Sequence, residues 1–162
     1  MTYSSFHEAQ ELQINKAFHP INKLGCDYLY YLSYSITDQN KSYRFCTHDN
    51  WLDFYYEENL IAADPLKRIM IDTNNTVLPW DQVNFQNKNE KQTMSARSAF
   101  GLSNGISIVS NYDNHKHILV LATEQQEHDL ARYLLLEKSH ELSKFMKSCI
   151  SVFNNFEQSV AA

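Results

Sequence analysis

GISIVSNYDNHKHILVLAT, residues 105 to 123, decides the fold class. Two short runs rich in Ile, Val and Leu flank an Asn/Asp cluster, which reads as a strand, a tight turn and a second strand. Just upstream, Gly101 and Gly105 interrupt a polar helix that Asp81 is expected to cap and that runs to about Ala99. Downstream, leucines and aromatics at spacings of three and four from Glu124 to about Phe156 predict one long amphipathic helix. A second hairpin lies nearer the N-terminus. Tyr28, Tyr30, Leu32, Tyr34 and Ile36 alternate along one strand, TDQNKS (37 to 42) makes a turn, and YRFCTH (43 to 48) returns. Residues 5 to 23 read as a weakly amphipathic helix ending near His19-Pro20.

Between the hairpins, Asn50 is placed as the N-cap of a helix carrying Trp51, Phe54 and Tyr55. Asp64 caps a shorter helix with Pro65 at its first position. Asn74-Asn75 then turns the chain into a short strand, TVLPW (76 to 80). The element order is α, β-β, α-α, β, α, β-β, α. It predicts one α+β domain over residues 1 to 162, with a central antiparallel sheet of about five strands and helices on both faces.

The chain has 162 residues, a net charge of −5, three glycines and three prolines, alongside ten tyrosines and nine phenylalanines. An acidic balance leaves no electrostatic footprint for nucleic acid on this chain. No apolar run is long enough to span a bilayer, and the N-terminus lacks a secretory pattern. Three scattered cysteines, Cys26, Cys46 and Cys149, fit a reducing cytoplasm. The aromatic excess needs a core, a pocket or an interface to occupy.

Trp51 and Tyr55 stand four apart on one helix face. They form either a core stripe or a pocket wall with an indole N–H and a phenol O–H aimed inward. Asp64 is either a helix cap alone or also an acceptor for a ligand amide. Asp64→Asn is expected to leave the stability of the free protein nearly unchanged, because Asn remains a good cap. His115 and His117 have no third ligand for a metal nearby and are expected to be exposed on their hairpin. Cys46 and His48 share a strand face without a readable oxyanion partner, and GLSNG (101 to 105) lacks the lysine of a phosphate loop. No catalytic residue, metal or cofactor is expected.

Trp51-x3-Tyr55, Asp64-Pro65 nine residues on, Trp80, and Gly101-Leu102-x-x-Gly105 resemble, in order and separation, the N-terminal signal-binding domain of LuxR-type quorum-sensing regulators. The resemblance covers nearly the whole chain. It implies an α-β-α sandwich that encloses an N-acyl-homoserine lactone between the sheet and one helical layer. By this resemblance Trp51 donates to the lactone carbonyl, and Asp64 accepts from the ligand amide. Tyr55 and Trp80 wall the head group, Leu66 and Leu102 line the pocket, and Gly101 and Gly105 shape the turn into the inner strand. Several positions depart from the pattern. Thr47 stands where many members carry a tyrosine for the acyl carbonyl, and Leu52 where a basic residue is common. Val109 replaces a strand proline, and Val120 a serine that faces the ligand. The resemblance further implies a homodimer. It implies DNA contact only through a C-terminal helix-turn-helix domain, which this chain, stopping at SVAA, does not contain.

Two other readings stay open. In one, the same fold serves as a ligand-independent dimerisation or inhibitory module with its aromatics filling the core. In the other, it is a small hydrolase using Cys46, His48 or Asp64. A buried cavity bounded by Trp51, Asp64 and Trp80 separates the first reading from the second.

Overall fold

The computed structural model describes residues 3–161. In chain order the elements are β1 (Tyr3–Ser5), α1 (Glu8–Asn22), β2 (Tyr28–Ser35), β3 (Ser42–Cys46), α2 (Asp49–Glu57), a 3₁₀ turn (Leu60–Ala63) and α3 (Pro65–Asp72). There follow β4 (Thr76–Pro79), a 3₁₀ turn (Trp80–Gln82), α4 (Lys88–Ala99), β5 (Asn104–Tyr112) and β6 (His115–Thr123). The chain closes with α5 (Leu130–Arg132), a π-helical turn (Tyr133–Glu137) and α6 (Ser139–Ala161). One sheet of six strands runs in the order β1-β3-β2-β6-β5-β4. Its neighbours are antiparallel except β1 beside β3.

The β5-β6 hairpin is the backbone of the fold. Its two-residue turn, Asp113-Asn114, has φ of 48° and 61°, the left-handed pair that matches strand twist in a tight hairpin. Tyr112 therefore pairs with His115, and the register runs unbroken to Asn104 opposite Thr123. Because side chains alternate across a strand, β6 feeds both faces of the sheet. Leu119 and Leu121 join a core with α1 and α6. Ile118, Val120 and Ala122 join a second core with α2, α3 and the residues around Trp80. Both faces are covered, which is why this strand reads as continuous apolar sequence.

The α+β sandwich is as expected, and five local expectations change. A sixth strand, Tyr3–Ser5, adds a parallel edge; three residues carry too little periodicity to read. Helix α1 runs past Pro20 to Asn22, since a proline so near the end removes only one ladder bond. Asp49 already lies inside α2, and Asn50 makes no cap. Asp81 belongs to the 3₁₀ turn, while α4 begins at Lys88, where Asn87 Oδ1 accepts from Glu90 N–H at 3.0 Å. The terminal helix is interrupted: the π-helical turn ends at Lys138 (φ −128°, ψ 29°) before α6 starts.

His115 and His117 also differ from expectation. His115 is half-buried against Glu157, with Nε2 to Oε1 at 3.2 Å. His117 is fully buried, its Nδ1 2.7 Å from the Tyr31 hydroxyl, and its Nε2 has no hydrogen-bond partner among the described residues. Burial, and then the neighbouring His115, lower its pKa to about 4, so it stays neutral.

Candidate functional site

A cavity of about 290 Å³ lies between the sheet and the α2-α3 layer. The alternating tyrosines of β2 explain its floor: Tyr28, Tyr30, Leu32 and Tyr34 point to this side, joined by Ile118 and Val120 of β6. Ile36 lies beyond the end of β2 and is exposed. The roof is Trp51, Leu52, Tyr55 and Tyr56 of α2, and Leu66, Lys67 and Met70 of α3. Tyr3, Gln39, Ile61 and Ile71 surround the more exposed end, whereas Trp51, Tyr55, Asp64 and Arg97 are buried at the other.

Two polar devices hold α3 in place. At its start, Asp64 Oδ1 accepts from Leu66 N–H at 3.0 Å, the cap that the Asp-Pro pair predicts. At its end, the buried Lys116 Nζ donates to the carbonyls of Met70 (3.2 Å), Ile71 (2.7 Å) and Thr73 (2.8 Å). These satisfy the carbonyls that a helix C-terminus leaves without partners. Burial lowers the Lys116 pKa.

The deep end is dominated by Arg97, a residue sequence reading missed. Helix α4 has no apolar stripe. Its buried residues are Glu90, Thr93 and Arg97, which share a face at spacings of three and four. Glu90 binds Arg68 of α3 through two bonds of 2.7 and 3.0 Å, which docks α4 on the roof. Two turns on, Arg97 reaches Asp64 in bidentate fashion, Nη1 to Oδ1 at 2.8 Å and Nη2 to Oδ2 at 2.6 Å. Tyr55 O–H also donates to Asp64 Oδ2 at 2.7 Å.

Burial alone would raise the Asp64 pKa, but Arg97, Tyr55 and the Leu66 N–H overcome it and hold the carboxyl below its ordinary value. Arg97 shows the converse: burial opposes its charge, and Asp64 more than restores it. Burial first, and then Asp64, raises Tyr55, while burial also raises Tyr28 and Tyr30, so these phenols stay neutral. The guanidinium carbon lies 5.4, 5.6 and 5.9 Å from the ring centroids of Trp51, Tyr55 and Trp80, a cation beside three aromatic rings.

The remaining sequence-derived positions divide. Trp51, Tyr55, Asp64, Leu66 and Val120 border the cavity. Trp80 stands behind Arg97, with its indole N–H on Ser107 Oγ at 3.1 Å. Gly105 permits that placement: a Cβ there would lie 2.6 Å from the Trp80 ring and 2.6 Å from the Leu121 carbonyl. Gly101, with φ of +87°, turns the chain between α4 and β5. Leu102 is buried in the same core without lining the cavity. Thr47 is turned away. Its hydroxyl accepts from Leu29 N–H at 3.0 Å and lies 2.8 Å from His48 Nδ1, so it stays outside the cavity wall.

The sequence pattern of the autoinducer binding domain family matches residues 14–145. Among solved structures, Escherichia coli SdiA matches with a TM-score of 0.69 at 14% identity, over 93% of this chain and 63% of that one. SdiA in complex with octanoyl-rac-glycerol matches with a TM-score of 0.71 at 14% identity, over 93% and 62%. CepR2 from Burkholderia cenocepacia, described as an N-acylhomoserine lactone dependent LuxR family transcription factor, gives 0.62 at 14% identity, over 90% and 96%. No curated protein matches by sequence. The chain thus spans about 63% of the length of SdiA, and likeness at these identities shows the fold. No helix among the described residues is long and apolar enough to cross a membrane.

Proposed function

The chain belongs to the autoinducer-binding domain family of LuxR-type regulators, and from that premise we propose that it is a receptor for a small amphiphilic signal. The signal, an N-acyl-homoserine lactone or a similar apolar-tailed molecule, binds in the cavity between the sheet and the α2-α3 roof. Binding is coupled to homodimerisation in the cytoplasm. It controls DNA through a helix-turn-helix domain outside these 162 residues. The chain acts as a sensor without turnover and releases its ligand chemically unchanged.

The observation that carries this reading is the cavity itself, apolar along its walls with buried polar groups gathered at one end. Such a shape buries an alkyl tail at about 25 cal/mol per Å² of apolar area, while a few polar groups orient the head. A related domain, SdiA, is seen with octanoyl-rac-glycerol, so both acyl lactones and acyl glycerols belong in the test. One observation favours the alternative, a ligand-independent dimerisation module: the protein's own Arg97 already satisfies Asp64.

A thermal-shift panel of both ligand classes, graded by chain length, decides between them. A ligand at one hundred times its Kd stabilises by about 2.7 kcal/mol, a melting shift of roughly 5–10 °C at this size. One chain length should stand clear of the others, and Trp51→Phe should weaken it by about 1–2 kcal/mol. Mass spectrometry should recover the ligand intact. A flat panel would leave the dimerisation module.

A further inference from the structure

The guanidinium of Arg97 occupies the corner that four other polar or aromatic residues enclose. Trp51, Tyr55 and Trp80 surround it, and Asp64 chelates it. A carboxylate has about four lone-pair sites, two on each oxygen. On Asp64, Oδ1 accepts from Leu66 N–H and Arg97 Nη1, and Oδ2 from Tyr55 O–H and Arg97 Nη2. The carboxylate is saturated by the protein. A ligand N–H reaching it would have to displace one of these donors. If that donor were Arg97, a buried cation would lose its counter-charge.

Donors, by contrast, are in surplus. Arg97 has five N–H groups. Two bond Asp64 and one reaches the Met94 sulfur at 3.3 Å, which leaves two without a partner among the described residues. The Trp51 indole N–H, also at the cavity wall, likewise has none among them. The deep end is therefore rich in donors, and the acceptors it still offers are neutral phenol oxygens such as those of Tyr28 and Tyr55.

We propose that the cavity selects an amphiphile whose head accepts hydrogen bonds and brings no N–H to Asp64, an ester- or ketone-type head in place of a secondary amide. Arg97 is the residue that sets this preference. The inference rests on the receptor reading above. It places the head acceptor against Arg97 and Trp51 and the apolar chain along Leu32, Met70 and Val120. A secondary amide brought to this site finds the Asp64 carboxylate filled and must give its N–H to a neutral phenol oxygen or leave it buried without a partner, and the unpartnered case costs about 5- to 100-fold in affinity.

The test uses a matched pair of probes, N-octanoyl-homoserine lactone and α-octanoyloxy-γ-butyrolactone, which differ only by N–H against O. Affinities are measured by calorimetry on the wild-type chain, on Arg97→Gln, which keeps one donor to Asp64, and on Arg97→Ala, which keeps none. The wild type should bind the ester at least as tightly as the amide. In the variants the amide should gain tenfold or more relative to the ester. That change of ratio cancels the greater hydrophobicity of the ester. An amide preference of tenfold or more in the wild type overturns the proposal, and this arm needs no variant to fold. So does a ratio that stays within threefold across variants that bind. If both probes and the whole thermal-shift panel leave every form untouched, the receptor reading itself fails. If other amphiphiles bind while only the preference is wrong, that reading survives and the role of Arg97 falls.

Discussion

Asp64→Asn separates a helix cap from a buried ion pair, because asparagine keeps the first and destroys the second. The substitution preserves an oxygen for Leu66 N–H, so the start of α3 loses little. It removes the charge opposite Arg97, and both partners are nearly inaccessible, Asp64 at 5% exposure and Arg97 at 8%. An amide in place of the carboxylate also points N–H groups at a donor, so at least one of the two short Arg97 bonds is lost. Leaving a buried guanidinium without its counter-ion costs about 3–5 kcal/mol. At this chain length that is a fall in melting temperature of roughly 6–20 °C. Urea unfolding of the free protein, followed by tryptophan fluorescence and far-ultraviolet circular dichroism, measures it directly. The double variant Asp64→Asn/Arg97→Met should recover most of the loss, since an apolar side chain of similar length needs no counter-charge. An Asp64→Asn protein within 1 kcal/mol of wild type, at an unchanged denaturant slope, would refute this account and leave the cap as the residue's only structural role. Low pH acts in the same direction. The Asp64 pKa is depressed in the folded state, so its contribution is present above the ordinary value of 3.8 and is lost as pH falls below it.

Gly105→Ala should destabilise by about 1–3 kcal/mol and change the near-ultraviolet circular dichroism, because a methyl group there meets both the Trp80 ring and the Leu121 carbonyl; an unaltered spectrum and melt would mean that β5 yields freely. Lys116→Met should cost about 1–3 kcal/mol and speed amide exchange in α3, whose last carbonyls lose their donor; unchanged exchange would count against the cap. His117 has a folded pKa of about 4 against 6.5 unfolded, so the unfolded chain binds the extra proton between those values. Stability should therefore fall by about 3 kcal/mol as pH drops from 6.5 to 4, and His117→Gln should lack that part of the slope. Equal slopes in the two proteins would place the proton elsewhere.

Much of this fold is written in short-range signals. The alternation of β2, the hairpin through Asp113-Asn114, the Asp64-Pro65 start of α3 and the shared helix face of Trp51 and Tyr55 each depend on residues a few positions apart. Periodicity and capping chemistry act over that range whatever the rest of the chain does. The strand of three residues at Tyr3–Ser5 was illegible because its pairing depends on β3, about forty residues away. The break at Lys138 sits inside a run whose apolar spacing continues through it. His117 looked like its neighbour His115, and only the packing of Phe153 and Tyr31 against it made it a core residue. The site shows the same division. Trp51, Tyr55 and Asp64 could be picked out one by one, but their chemistry depends on Arg97, 33 positions from Asp64. Glu90, Thr93 and Arg97 lie on one face of α4, a spacing that could have marked the stripe. Yet polar residues on a polar helix read as solvated, because burial of a charge is decided by the partner that meets it. That partner reaches it only when α4 docks on α3 through Arg68 and Glu90, a tertiary event that leaves no local trace in the sequence.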